Sequence, residues 1–186
     1  MGFDLQPVLE GQRLKLRPLA PEDFNALYAV AADPLIWEQH PARDRHRREV
    51  FLDFFREALE SGGALAAIDR VDGRIIGSSR FHGYDSRRSE VEIGWTFLAR
   101  SHWGGVHNGE MKALMLAHAF RFVDNVLFIV GPDNLRSQPA VEKVGGVRDG
   151  RRHDDTGLDS LVFRLTRSRW EASRQTGDRP VQGPSG

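Results

Sequence analysis

The chain has 186 residues, 40% hydrophobic and 28% charged, with 26 basic side chains against 26 acidic ones. That length suits one domain with a substantial core, and the balanced charge gives no global pull toward nucleic acid or an anionic membrane. With no cysteine present, disulfides, thiolate zinc sites and a cysteine nucleophile are excluded together.

Met1 to Gly11 carries Asp4 and Glu10 and has neither a basic leader nor a sustained apolar segment. No run approaches the ~20 apolar residues that span a bilayer, so a cytoplasmic protein is expected. Arg13-Leu14-Lys15-Leu16-Arg17 alternates at the strand period and is closed by Pro18. Phe24, Leu27, Tyr28 and Ala31 then form one helical face, ended by Asp33-Pro34. The loop from Leu35 to Pro41 carries Trp37 in a polar setting and leads into the basic run Arg43 to Arg48. It reads either as a substrate lip or as a core aromatic beside a solvated cationic face.

Phe51, Phe54, Phe55, Ala58 and Leu59 mark a second helix, stopped by Gly62-Gly63. Ala64 to Asp69 and Arg74 to Tyr84 are strand-like runs around Val71-Asp72-Gly73, a hairpin signal. In the next strand, Glu90 to Leu98, alternation puts Val91, Ile93, Trp95 and Phe97 on one face. Glu90, Glu92, Gly94 and Thr96 take the other, with a bulge expected at Gly94.

Trp103-Gly104-Gly105-Val106-His107-Asn108 joins that strand to a helix whose face is Met111, Leu114, Met115, His118 and Phe122. Glycines before a helix N-terminus, with Asn108 expected as its cap, make a seat for a phosphate. Val126 to Val130 reads as a buried strand and Asn134 to Val144 as a short helix stopped by Gly145-Gly146. Val147 to His153 and Ser160 to Thr166 form a last strand pair around Asp154 to Gly157. The order β-α-α-β-β-β-α-β-α-β-β predicts a mixed α/β fold, a single domain over 1–172, and a disordered tail over 173–186. His102 and His107 flank the glycine turn and His82 lies on a neighbouring strand, but neither a helical spacing nor an adjoining carboxylate makes them a ligand set. No metal is expected there, and His118 reads as a core histidine.

Glu-Ile-Gly-Trp-Thr-Phe-Leu before the glycine loop and Asn-Leu-Arg-Ser after the next strand resemble the GNAT acyltransferases. The likeness is closest to their RimJ/RimL-type branch of ribosomal-protein N-terminal acetyltransferase-like proteins. It runs over 12–170 and includes Arg13 to Pro18, Asp33-Pro34, Asn134-x-x-Ser137-x-x-Ala140-x-Glu142-Lys143-x-Gly145 and Asp159-x-x-x-Phe163-x-x-x-x-x-Trp170. This resemblance implies a mostly antiparallel, twisted sheet of about six or seven strands, splayed at a cofactor cleft and flanked by about four helices. It further implies acetyl-CoA as cosubstrate, no metal, and a primary amine as acceptor, on a small molecule or a protein N-terminus. A monomer or homodimer, with neither membrane nor nucleic acid as partner, goes with that reading.

Carried over by position, the cofactor would meet Phe97 and Leu98 on the strand and Trp103, Gly104, Gly105, Val106, His107 and Asn108 in the loop. Lys112, Asn134 and Ser137 complete that set, and Trp37, His82 and Glu90 are the acceptor-side residues. Glu92 is the implied general base, with Glu90 in reserve. An ordinary strand glutamate is the alternative. The tyrosine that many relatives use as acid is replaced by Val141, which leaves Ser137 as acid or as a mere helix cap. Val106 and Asn108 stand where the family usually has small residues, although Asn108, Glu110 and Lys112 resemble a variant loop of the same branch. Two other classes stay open: a non-catalytic acyl-CoA-binding or regulatory module, and an RNA- or ribosome-binding protein using Arg43 to Arg48 and Arg148 to Arg152.

Overall fold

The computed structural model describes residues 2–153 and 159–177. Strands β1 (Leu9–Glu10) and β2 (Leu14–Pro18) pair antiparallel, and a turn of 3-10 helix at Pro21–Asp23 enters α1 (Phe24–Ala31). Helix α2 (Arg48–Glu60) buries Phe51, Phe54, Phe55 and Ala58, the stripe anticipated from their spacing. Strands β3 (Ala64–Asp69) and β4 (Ile75–Asp85) meet at a turn in which Gly73 has φ +73°, a conformation its missing Cβ makes cheap. After β5 (Glu90–Leu98) come α3 (Val106–Ala119), β6 (Asn125–Val130), α4 (Ser137–Lys143), β7 (Val147–His153) and β8 (Asp159–Thr166). The turn expected over 154–157 lies outside the described residues.

The described residues form one sheet of eight strands, ordered β1-β2-β3-β4-β5-β6-β8-β7. Two features exceed the expected count: the two-residue β1, and a fifth helix, α5 (Arg167–Gly177). Helix α5 crosses the expected start of a disordered tail at Ser173. It is anchored by Trp170, whose ring lies 5.2 Å from that of Phe120. One face of the sheet packs under α3, with Phe81, Val91, Ile93, Met111, Met115, Phe128 and Phe163 in a common core. The other packs against α1 and α2, where Leu27, Trp37, Phe51, Phe54 and Phe97 meet.

Phe97 thus lies on the face opposite Val91 and Ile93, against the simple alternation of the sequence. The bulge responsible falls one residue after Gly94: Arg80 pairs with Gly94 but Ser78 with Phe97, and Trp95 takes φ +52°. A left-handed tryptophan is strained. Its ring is held by the Arg80 guanidinium, 4.5 Å from its centroid, and by the His82 ring at 5.2 Å. The extra residue moves Phe97 beneath α2, 5.0 Å from the Trp37 ring, and gives Leu98 the α3 side.

β5 and β6 pair in parallel only at Glu90/Asn125, Val91/Val126 and Glu92/Leu127. Beyond Glu92 the two strands diverge while β6 stays paired to β8 as far as Val130. A wedge opens there, edged by backbone groups of both strands.

Candidate active site

Two adjoining cavities fill the wedge. The first, of about 440 Å³, is lined by Phe97, Leu98, Trp103, Gly104, Asn108, Lys112, Asn134 and Ser137 among others. The second, of about 350 Å³, lies deeper along β5, where Glu92, Gly94, Trp95, Phe128 and Ser160 line it. Trp37, His40, Thr96, Lys112, Asn134 and Ser137 belong to both walls. Most of the residues expected at the cofactor are therefore brought together. Gly105, Val106 and His107 do not line either cavity.

The loop geometry explains that division. Gly104 has φ +67°, which only a residue without Cβ adopts at low cost, and Gly105 rather than Asn108 is the N-cap of α3. Asn108 is instead the third helical residue, and its Oδ1 accepts from Lys112 Nζ at 3.1 Å. Val106 is 53% exposed and turned to solvent. His107 turns the other way, with Nε2 3.8 Å from Asp69 Oδ2, while His102 Nε2 lies 3.0 Å from the same oxygen. The sequence showed no carboxylate beside these histidines; β3 supplies Asp69 from a distance of more than thirty residues. The three donor atoms lie within 4.8 Å of one another and tie both ends of the loop to the β3–β4 hairpin. Hydrogen bonding from the Val71 amide, then from His102, holds the Asp69 carboxyl below its usual range.

Lys112 is 9% exposed and, among the described residues, has no carboxylate within ion-pair distance. Burial lowers its pKa to about 8. Trp103 covers the cavity mouth: its Nε1 donates to Leu98 O at 2.9 Å, and the Arg136 guanidinium stacks 4.2 Å from its ring centroid. Before α4, Asn134 Oδ1 accepts from the Ser137 amide at 3.1 Å; Arg136 holds the N-cap position and Ser137 is the first helical residue, not the cap. No hydrogen bond ties up the Ser137 hydroxyl among the described residues.

Glu92 sits where the strands part, 9% exposed. Burial raises its pKa to about 7, and the charges of Arg152 and Arg80 limit the rise. Arg152 Nη1 stands 3.7 Å from Oε2, and a Cβ built on Gly94 would come within 3.2 Å of Oε1. Glycine at 94 therefore leaves room for the carboxylate. Glu90, the reserve base, is engaged by Arg164 at 3.0 Å and Arg88 at 3.7 Å and lines neither cavity. His82, expected beside the acceptor, is exposed and packs edge-on against the outer side of Trp95. Trp37 is a core aromatic, its Nε1 donating to Ala31 O at 2.8 Å, and it also lines both cavities. His118 is a core histidine as expected, its Nε2 2.7 Å from Asp4 O. Two residues of the second cavity, His40 and Arg45, gave no signal in the sequence beyond membership of the loop and the basic run.

The family model for the acetyltransferase (GNAT) domain matches residues 13–147. The chain is 23% identical over 175 residues to the uncharacterized N-acetyltransferase YoaA of Bacillus subtilis (strain 168), covering 88% of this chain and 98% of that protein. A GCN5-related N-acetyltransferase from Brucella melitensis superposes with a TM-score of 0.80 at 20% identity, over 91% of this chain and 83% of that one. RimJ of Mycobacterium smegmatis, solved in complex with CoA-disulfide, gives 0.65 at 20% identity, over 92% and 95%. With its wedge between β5 and β6, its glycine loop at α3 and a family model covering well over half its length, the chain belongs to the GNAT acetyltransferases.

Proposed function

We propose that this protein transfers an acetyl group from acetyl-CoA to a primary amine by direct attack in a ternary complex, with Glu92 as general base. The residues present fit CoA. The diverging strand edges suit an extended chain of amides, and Gly104 with the start of α3 offers backbone N–H groups to phosphate. Lys112, a buried cation without a close carboxylate among the described residues, adds charge beneath that loop. When bound, acetyl-CoA supplies a thioester whose thiolate leaves readily.

This chain's own residues do the rest. The amine nitrogen forms the new C–N bond as the C–S bond breaks, Glu92 takes the proton the amine loses, and the departing sulfur takes one from Ser137 or water. A carboxylate titrating near 7 is ionised at mildly alkaline pH and basic enough to accept that proton. The observation carrying this reading is the buried Glu92 at the point where β5 leaves β6, facing a cavity that adjoins the loop cavity. The resemblance of the sequence to the RimJ/RimL-type branch makes protein N-termini one acceptor class and small amines the other.

The test is thiol release from acetyl-CoA with a panel of amines and N-terminal peptides, together with Glu92→Gln. The proposal expects turnover that the variant loses while its CoA affinity is kept. CoA binding with no transfer to any amine, or full activity in Glu92→Gln, would leave a CoA-binding module or a different base.

A further inference from the structure

The wall of the second cavity formed by His40, Pro41, Ala42 and Arg45 has no part in the proton transfers just described. Its hydrogen bonding is unusual. The Ala42 backbone N–H donates to His40 Nδ1 at 2.9 Å. A backbone N–H has a fixed direction, so Nδ1 carries the ring's lone pair and the proton of the neutral imidazole resides on Nε2. The ring is neutral at working pH, because burial and then the charge of Arg45 lower the His40 pKa to about 3. Yet the group 3.2 Å from Nε2 is Arg45 Nη1, which carries only donors. Two N–H groups therefore meet with no acceptor between them.

Neither guanidinium at this wall has a carboxylate within ion-pair distance among the described residues; Glu57 acts on both, and Glu92 on Arg80, only from farther away. Arg45 forms no ion pair among the described residues, and its guanidinium lies 4.5 Å from the Phe54 ring centroid. A second guanidinium, Arg80, approaches the same ring at 5.8 Å, with Nε and Nη2 buried and without hydrogen-bond partners among the described residues. Cations removed from water without an acceptor are costly. An anion reaching the wall would accept from His40 Nε2–H and the Arg45 guanidinium together and relieve that cost. Glu92 lines the same cavity, whose 350 Å³ stands at the small end for a ligand site.

We propose that this wall is the carboxylate seat of the acceptor, so that the amine acetylated is a small one bearing a carboxylate, of the free amino acid class. The inference rests on the acetyltransferase reading for its chemistry: the carboxylate is held at His40 and Arg45, the amine is turned toward Glu92, and an N-acetyl amino acid and CoA leave. Its recognition element is measurable by binding alone.

The experiment compares free amino acids with their own amides, with the matching decarboxylated amines and with phosphoethanolamine. Affinity for the CoA-bound protein is read by calorimetry, and transfer by thiol release. The acids are expected to bind at least about tenfold more tightly than their amides, as a charge-assisted pair to arginine should give. In Arg45→Gln that ratio should fall to near one, with CoA affinity kept and the melting temperature kept or raised. If that variant does not fold, His40→Phe, which removes the Nε2–H donor, reads the same ratio. Amides or plain amines bound as tightly as the acids, or a ratio unchanged in the variants, would overturn the proposal. Tighter binding of phosphoethanolamine would reassign the seat to phosphate, and preference for peptides without a nearby carboxylate would reassign the acceptor to protein N-termini. Failure of the transferase reading looks different: CoA binds and amino acids discriminate, but no thiol is released.

Discussion

Replacing Glu92 by glutamine should make the protein more stable and less active at once, and pH separates the two effects. The carboxyl is displaced from 4.5 to about 7, chiefly by burial. Below pH 4.5 the folded and unfolded chains both hold the proton, and Glu92 has no pH-linked effect. Between 4.5 and about 7 the unfolded chain ionises while the folded one does not, so stability falls as pH rises. Above about 7 the loss is complete. At about 1.4 kcal/mol per pH unit it amounts to roughly 3 kcal/mol. Glutamine keeps the shape and loses the charge, but its amide dipole must also be desolvated, so we expect a gain of about 2 kcal/mol at pH 8.5. Little or no gain is expected at pH 4.5. Urea denaturation of both proteins at the two pH values measures it. Acetyl transfer should fall by about 10²–10⁴-fold, as for loss of a general base, and the wild-type kcat/KM should show a limb near pH 7 that the variant lacks. A stability difference independent of pH, or a variant less stable at pH 8.5, would refute the reasoning about burial.

Lys112→Met should also stabilise the free protein at pH 7, because burial lowers the lysine to about 8 and the folded state carries its charge at a cost. That gain should vanish as pH rises from 8 toward 10.5, where the unfolded chain too loses its proton, and CoA affinity should drop; denaturation and calorimetry read both. Asp69→Asn removes the charge that faces His102 and His107, so a lower melting temperature and weaker CoA binding are expected, with the Glu92 limb of the pH profile unmoved. Phe97→Ala opens a void between Trp37, Phe51 and Phe54 and should cost about 3–5 kcal/mol in urea denaturation.

Local periodicity carried most of the fold. Phe51, Phe54, Phe55 and Ala58 are one stripe in the sequence and one buried face in α2, and the Asp-Gly turn joins β3 to β4 as its chemistry demands. The β5 bulge is legible as a bulge but lies one residue past the glycine. Glycine is the residue that ordinarily marks left-handed backbone, but Gly94 is spared it and Trp95 adopts it, held by Arg80 and His82 from the adjoining strand. No reading along one strand can see that support. The functional cluster divides in the same way. Residues contiguous with the glycine loop were legible, whereas the clamp of Asp69 on His102 and His107 and the donor pair of His40 and Arg45 arise from chain folding over distance or from a fixed backbone N–H. Gly105, Val106 and His107 adjoin Gly104 in sequence but line neither cavity; what the start of α3 offers a phosphate there is backbone N–H, which sequence adjacency alone does not distinguish from side-chain contact.

Two buried ionisable groups of opposite charge line the second cavity, and both are drawn toward neutrality, Glu92 up to about 7 and Lys112 down to about 8. Neither forms a close ion pair with the other, and each weakens the fold at neutral pH rather than supporting it. Shifts of this kind, set by desolvation in a concave site, mark a place prepared for a ligand. An amine arriving as ammonium must lose a proton before it can attack, and a glutamate titrating at its solution value would take that proton poorly. Raised to about 7 by burial but kept from rising further by Arg152 at 3.7 Å, Glu92 holds its charge under mildly alkaline conditions and still competes for the proton. The surrounding Arg45, Arg80 and Lys112 offset the negative charge that a carboxylate acceptor and phosphates would bring into the same cleft. An acceptor lacking that carboxylate would leave Arg45 facing the His40 N–H as it does in the free protein, and the cleft would recover none of that cost on binding it.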